Sequence, residues 1–262
     1  MATNNQTALI TGATSGIGYE LAKLFAQDGF RLVIVSRNEA TLQQVAEDFK
    51  QLGSPQVTTI IKDLTQLGAA EEVYQETKRQ GITVNVLVND AGVGEYGFFH
   101  EVDFSKDLEI IQLNIITFVH LTKLYLRDML AANEGRVLQL ASIASHQPTP
   151  RLAVYAASKA FVLSLTDALI HELKDTNVTM TALLPGATDT DFFRKANMEH
   201  TKAAQEDPYD PAMVAKTGYD ALMKGENHAV AGAMMKAQVV LSNMLPNELV
   251  STMAEKYMLP AD

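Results

Sequence analysis

"TALITGATSGIG", residues 7–18, joins a short run of small and aliphatic residues, Thr7–Thr11, to a stretch of helical character that starts at Gly16. Between them stand Gly12, Gly16 and Gly18. The spacing G-x-x-x-G-x-G differs from the G-x-G-x-x-G of the general dinucleotide fingerprint, yet the context of strand, loop and helix is the same. A tight turn takes glycine where φ is positive, close approach of backbone to a pyrophosphate excludes a Cβ, and a helix N-terminus offers free amides and the positive end of its dipole. An ordinary strand-to-helix turn needs only one glycine. The segment therefore reads as a phosphate-cradling loop, with Thr14, Ser15 and Ile17 completing its backbone.

Further short β-branched or aliphatic runs follow at Arg31–Ser36, Val57–Lys62, Val84–Asn89, Gly135–Ser142 and Val178–Pro185, with "HAVAG" near 228 as a short seventh. Stretches of helical length lie between them: Gly16–Asp28, Glu39–Leu52, Gln66–Gln80, Phe104–Asn133, Tyr155–Asp175 and Pro211–Lys224. Runs such as "RLVIVS" and "VTMTALLP" are apolar almost throughout, as a sheet covered on both faces requires. Buried strands alternating with helices predict βαβ units and a doubly wound α/β Rossmann fold with a mainly parallel, seven-stranded sheet. The expected organisation is one domain over residues 1–262. The rhythm breaks at Thr188–Pro211, a charged segment with two prolines; a substrate loop or lid is expected over 187–210 and a helical segment over 233–258.

Composition narrows the partners. The 262 residues include no cysteine, 47% are hydrophobic and 20% charged, and 31 acidic against 21 basic side chains give a net charge of -10. No disulfide, thiolate metal site or cysteine nucleophile is possible. The acidic balance, without a Lys/Arg cluster, argues against nucleic acid. The apolar stretch Ala229–Leu241 is interrupted by Lys236 and falls short of the roughly 18 residues of a membrane span, so a cytoplasmic protein without one is expected. The six histidines form no pair with ligand spacing, and no metal is expected.

Five motifs occur in order: "TGATSGIG" at 11–18, "NDAG" at 89–92, Asn114, Ser142 with "YAASK" at 155–159, and "PGATDT" at 185–190. In these the chain resembles the classical short-chain dehydrogenases/reductases over almost its whole length. The resemblance implies a nicotinamide cofactor and the catalytic set Asn114, Ser142, Tyr155 and Lys159. Tyr155 and Lys159 are four apart on one helix face, where an ammonium favours the phenolate and lowers the tyrosine from about 10 toward the range of an acid/base catalyst. Ser142, at a strand end, suits a hydrogen bond to the substrate oxygen. By resemblance Asn114 holds a water that links Lys159 to solvent, and Lys159 also bonds the nicotinamide ribose.

The second strand ends in Ser36 and Arg37, without the acid that clasps a ribose 2′-hydroxyl. A guanidinium there suits a 2′-phosphate, so NADP(H) is the expected cofactor, a solvated surface arginine being the competing reading. The resemblance assigns adenine contacts to Asp63 and Leu64, ribose contacts to Asn89, Ala91 and Gly92, and the carboxamide clamp to Pro185, Gly186, Thr188 and Thr190. Asp90 stands where the family has a second Asn. Phe98, Phe99, Ile143, Phe192 and Phe193 give the expected cleft an apolar character. The expected activity is NADPH-dependent hydride transfer to a hydrophobic carbonyl or from a secondary alcohol. The alternative is a non-catalytic NADP(H)-binding sensor or interaction protein on the same fold. A homodimer or homotetramer is expected from the resemblance.

Overall fold

The computed structural model describes residues 5–232, 235 and 244–261. At its centre lie seven strands: β1 (Thr7–Thr11), β2 (Arg31–Ser36), β3 (Val57–Ile61), β4 (Val86–Asn89), β5 (Gly135–Leu140), β6 (Val178–Leu184) and β7 (His228–Val230). They pair in the order β3-β2-β1-β4-β5-β6-β7, and every pairing is parallel, which is the doubly wound Rossmann arrangement expected. Thr11 of β1 faces Val35 on one side and Asn89 on the other. The chain leaves β1 toward β2 and later returns to β4 on its opposite flank, which opens a crevice at the carboxyl ends of these two strands. The phosphate-loop motif occupies that switch point.

Helices cover both faces: α1 (Gly16–Gln27), α2 (Glu39–Gln51), α3 (Ala69–Arg79), α4 (Phe104–Ile111), α5 (Phe118–Ala132), α6 (Ala153–Glu172), two single turns α7 (Phe192–Lys195) and α8 (Lys202–Gln205), α9 (Pro211–Lys224), and a C-terminal helix Asn247–Met258. Local chemistry sets several of their ends. Asn38 accepts from the Thr41 N–H to start α2, Asp210 accepts from Ala212 N–H ahead of Pro211 to start α9, and Gly225 closes α9 at φ 71°. On one face Phe25 packs edge-on against Phe30 and Tyr219. On the other, Leu121, Tyr125 and Met129 of α5 close over Leu87 and Val73. Each face thus gives the strands the apolar cover that their sequences demand; truncating a buried phenylalanine such as Phe25 to alanine costs about 3–5 kcal/mol.

The stretch 104–133 reads as one helix in the sequence but is broken by a π-helical turn at Gln112–Thr117. The cause is Asn114. Its Oδ1 accepts from Val93 N–H at 3.0 Å, while its Nδ2 donates to Val93 O at 2.9 Å and Ser158 Oγ at 3.0 Å. One extra residue in the turn lets the amide point inward to these partners, and Thr117 Oγ1 gains Leu64 O at 2.8 Å.

α6 has 20 residues and a mean hydropathy of 1.4, long and apolar enough by composition to cross a membrane, a feature not expected from the sequence. In this fold it lies against β6, α4 and the π turn, with Val162, Leu163 and Thr166 buried. The helical segment expected over 233–258 is described as helix at Asn247–Met258, while Met234 and Leu241 lie outside the described residues. Its end is laced to Tyr96 and to the 187–210 segment. Tyr96 O–H donates to Met258 O at 2.7 Å, Lys202 N–H to Leu259 O at 2.9 Å, and Ala261 N–H to His200 O at 2.9 Å.

Candidate active site

A cavity of about 620 Å³ runs along the carboxyl ends of the strands. Its size is that of a cofactor or small-molecule site. Gly12, Thr14, Ser15, Gly16 and Ile17 form one wall, Ser36, Arg37, Asp63 and Leu64 the next, and Ala91 with Gly92 the floor at the switch point. Pro185, Gly186, Thr188 and Thr190 close the far side. Ser142 and Tyr155 stand at the end where Leu152, Phe192, Phe193 and Met198 make the lining apolar. Most residues singled out in the sequence therefore meet in one space. Gly18, Asn89, Asn114 and Lys159 lie behind its walls.

The loop owes its shape to two left-handed glycines, Gly12 at φ 76° and Gly16 at φ 58°. A Cβ on Gly16 would also stand 2.8 Å from the Thr190 methyl. The space beside Gly12 and Gly18 is taken by the Asp90 carboxyl, so part of the glycine requirement comes from the protein's own packing rather than from a bound pyrophosphate. Beneath the loop Thr11 is the knot. Its hydroxyl accepts from the N–H groups of Asp90 and Ala91, each at 3.1 Å, and donates to Val88 O at 3.3 Å.

Asn89 is 4% exposed, and its Nδ2 donates to Thr122 Oγ1 at 3.0 Å and Gln139 Oε1 at 2.9 Å, while its Oδ1 is buried without a partner. It braces the sheet beneath the cavity. Across the loop, Asp63 loses hydration through burial, yet the N–H and hydroxyl of Thr65 and the nearby Arg37 guanidinium hold its carboxyl below the usual range. An ionised Asp63 and a cationic Arg37 thus face the same corner. Thr188 donates to Gly186 O at 2.9 Å, and Thr190 Oγ1 accepts from Phe192 N–H at 3.3 Å, which ties that side of the cavity to α7.

Ser142 follows the end of β5 by two residues, and its hydroxyl accepts from Ala144 N–H at 3.1 Å, capping the short turn Ile143–His146. The same hydroxyl hydrogen-bonds Tyr155. Tyr155 and Lys159 share a face of α6 as the spacing predicts, but the expected depression of the phenol is not what the surroundings produce. Burial pushes Tyr155 up to about 12, against the hydrogen bond from Ser142, and the Asp90 carboxylate adds to the rise. Burial also brings Lys159 down to about 8, with Asp90 opposing. The ammonium stands 5.8 Å from the centre of the Tyr155 ring and donates to Leu140 O at 2.7 Å, so desolvation outweighs its pull.

Asn114 meets Val93 and Ser158 directly, and its Oδ1 and the Lys159 Nζ each stand 3.4 Å from the place of a Cβ on Gly92. The two groups flank one glycine. Phe192 packs on the Tyr155 ring at 5.0 Å, while Phe98 and Phe99, expected in the cleft wall, are exposed at 44% and 69%. Arg151 covers Phe98 instead, with its guanidinium 4.2 Å from the ring centre. Several lining residues, Leu152, Met198, Ala254 and Tyr257 among them, were not singled out in the sequence. Ala254 and Tyr257 of the C-terminal helix reach the cavity beside Met258, a placement fixed by long-range hydrogen bonds that leave no local signature. Among the described residues no group of acidic and histidine side chains could hold a metal.

Comparison with known proteins gives one answer throughout. The profile of the short chain dehydrogenase family matches residues 6–201. An uncharacterised oxidoreductase of Staphylococcus saprophyticus is 33% identical over 186 residues, 71% of this chain and 80% of that protein. The 7beta-hydroxysteroid dehydrogenase of Clostridium sardiniense is 26% identical over 253 residues, 96% of this chain and 95% of its own. Among solved structures, a short-chain dehydrogenase from Sphingobium yanoikuyae in complex with NADPH superposes with a TM-score of 0.83 at 24% identity, over 94% of this chain and 95% of that one.

Proposed function

The chain belongs to the short chain dehydrogenase family of oxidoreductases, and on that premise we propose that it transfers hydride between NADP(H) and a hydrophobic ketone or secondary alcohol. One observation carries this reading: a single cavity has Arg37 at one end and the hydrogen-bonded pair Ser142 and Tyr155 at the other. The residues fit a dinucleotide. Left-handed Gly12 and Gly16 turn the loop beneath the N-terminus of α1, which suits a diphosphate, and Ser36 with Arg37 suits a 2′-phosphate. Asp63, Leu64, Ala91, Gly92, Pro185, Gly186, Thr188 and Thr190 would line the rest of the molecule, with Asn89 and Gly18 supporting the walls from behind.

The reduced nicotinamide, when bound, supplies the hydride. The protein handles the proton. A phenol pushed up to about 12 is in its donor form at neutral pH, so Tyr155 is set to protonate a carbonyl oxygen, while the Ser142 hydroxyl binds that oxygen and stabilises its developing charge. Lys159 holds positive charge near the phenol and shifts toward its neutral form at only mildly alkaline pH, which suits a proton relay. Asn114 positions the Val93 backbone and Ser158 beside it.

Phe192, Phe193, Leu152, Met198 and Met258 give the reacting end an apolar lining suited to a bulky hydrophobic substrate. The relationship to a hydroxysteroid dehydrogenase supports the same class. With this reading go a single domain across the chain and assembly as a homodimer or homotetramer, which light scattering on the purified protein tests. The direct test of the activity is nicotinamide absorbance with a panel of aliphatic, aromatic and polycyclic ketones. NADPH oxidation with the bulky apolar members supports the proposal, and no turnover with either nicotinamide cofactor contradicts it.

A further inference from the structure

Asp90 is where the sequence departs from the family's paired asparagines, and its carboxyl occupies the space left by two glycines of the loop. A Cβ on Gly12 would stand 2.6 Å from Oδ2, and one on Gly18 would meet the same atom. The Gly18 N–H donates to this carboxyl, and the Asp90 N–H is held by Thr11. Oδ1 is buried and has no hydrogen-bond partner. An asparagine would fill this place and accept the same Gly18 hydrogen bond. The acid adds a titratable charge directly under the backbone that, on the proposed function, holds the cofactor's diphosphate; any role of that charge in binding rests on this reading.

The groups that face the carboxyl are few. From α6 come Lys159, whose ammonium favours the carboxylate, and Tyr155, whose ionisation the carboxylate opposes. From β1 and α1 come the backbone of Gly12 and Gly18, while the Thr11 hydroxyl holds the Asp90 N–H rather than the carboxyl. On its own strand the Asn89 amide is turned to Thr122 and Gln139, and the Asn114 amide of the π turn is bonded to Val93 and Ser158. Burial pushes Asp90 up to about 7, against the pull of Lys159 and the Gly18 N–H. The carboxyl is therefore divided between two charge states at neutral pH. Asp90 itself lines the cavity, so a diphosphate seated on the loop brings negative charge close to it and disfavours the charged state.

We propose that Asp90 is a proton-coupled positioning residue for the cofactor: seating a nucleotide diphosphate on the Gly12–Gly18 loop draws one proton from solvent onto its carboxyl, so nucleotide affinity falls as the medium becomes alkaline. Oδ1, the unpartnered oxygen, is the atom free to carry that proton. No other bond is made or broken. Because binding and protonation are linked, each must favour the other by the same factor, with a limiting slope of about tenfold in affinity per pH unit.

The test is calorimetric titration of the full chain with NADPH between pH 6 and 9, in pairs of buffers that differ in ionisation enthalpy. Wild type, Asp90→Asn and Lys159→Met are compared, and the Asn side chain keeps the acceptor for Gly18 so that the loop is retained. The wild type is expected to weaken about tenfold or more from pH 6.5 to 8.5 and to take up as much as one proton per nucleotide. Asp90→Asn should hold its affinity within about threefold and lose the uptake, while Lys159→Met, which removes the cation that holds the carboxyl down, retains the uptake but shifts it to higher pH. The proposal is overturned if Asp90→Asn keeps the wild-type pH profile, or if the uptake disappears with Lys159 instead. Absence of nucleotide binding by the wild type at every pH would overturn the cofactor assignment itself, a result distinguishable from binding that is merely indifferent to Asp90.

Discussion

Gly18→Ala is a substitution whose cost can be worked from distances. Gly18 lies in the first turn of α1, and alanine there gains about 1 kcal/mol of helix propensity. Against that gain, the new methyl would stand 2.5 Å from the Gly12 carbonyl oxygen and 2.8 Å from its carbon, and would press on Asp90 Oδ2. Two of these three atoms are backbone, so no rotamer change relieves them and the loop itself must lift. Overpacking of this kind costs about 1–3 kcal/mol, and moving Asp90 also loosens its hold on Thr11. With two rigid backbone clashes the cost falls in the upper part of that range, so the net loss is about 1–2 kcal/mol, which lowers Tm by about 2–8 °C in a chain of this size. Differential scanning fluorimetry with and without NADPH reads both effects, because a lifted loop also weakens the ligand-dependent rise. Adding Asp90→Ala removes one contact but leaves the Gly12 carbonyl, so the double variant should recover little. A Gly18→Ala protein with wild-type Tm and an undiminished NADPH-induced rise would refute the reasoning.

Three further outcomes are expected from the same geometry. Arg37→Ala removes charge-assisted hydrogen bonds worth about 1.5–3 kcal/mol, so KM for NADPH should rise about 10–150-fold while KM for NADH changes little; equal effects on both would remove Arg37 from cofactor discrimination. Thr11→Val leaves the N–H groups of Asp90 and Ala91 without an acceptor, and urea unfolding should show a loss of about 2 kcal/mol or more. Phe192→Ala uncovers the Tyr155 ring, and KM for bulky apolar ketones should rise about tenfold with NADPH affinity preserved; an unchanged KM would place the substrate elsewhere.

The parallel sheet was legible because most of its strands are predominantly apolar, from "TALIT" to "VTMTALL", and alternate with helix-length stretches. The gathering of Gly12, Arg37 and Ser142 was legible for a related reason: all sit just beyond the carboxyl ends of strands, which a parallel sheet brings together, and Tyr155 joins them from the first turn of α6. The π turn was not. Asn114 lies within a helical period that a one-residue insertion barely alters, and only the distant Val93 and Ser158 show why it turns inward. The spacing of Tyr155 and Lys159 gave their shared face but no measure of burial, and burial sets the direction of the phenol's shift. Asp90 looked like a near-isosteric exchange for asparagine. Its neighbours Gly12, Gly18 and Lys159 come from distant parts of the chain, so nothing local marks it as an acid packed against the loop.

The central claim is that Tyr155 delivers the proton while a nicotinamide delivers the hydride. It is tested most directly by the turnover of Tyr155→Phe with NADPH and the best ketone of the panel, measured beside its NADPH dissociation constant. Removing a general acid lowers the rate by about 10²–10⁴-fold, and the phenyl ring keeps its packing against Phe192, so NADPH affinity should stay within about threefold. Turnover equal to wild type, at unchanged NADPH affinity, would contradict the account.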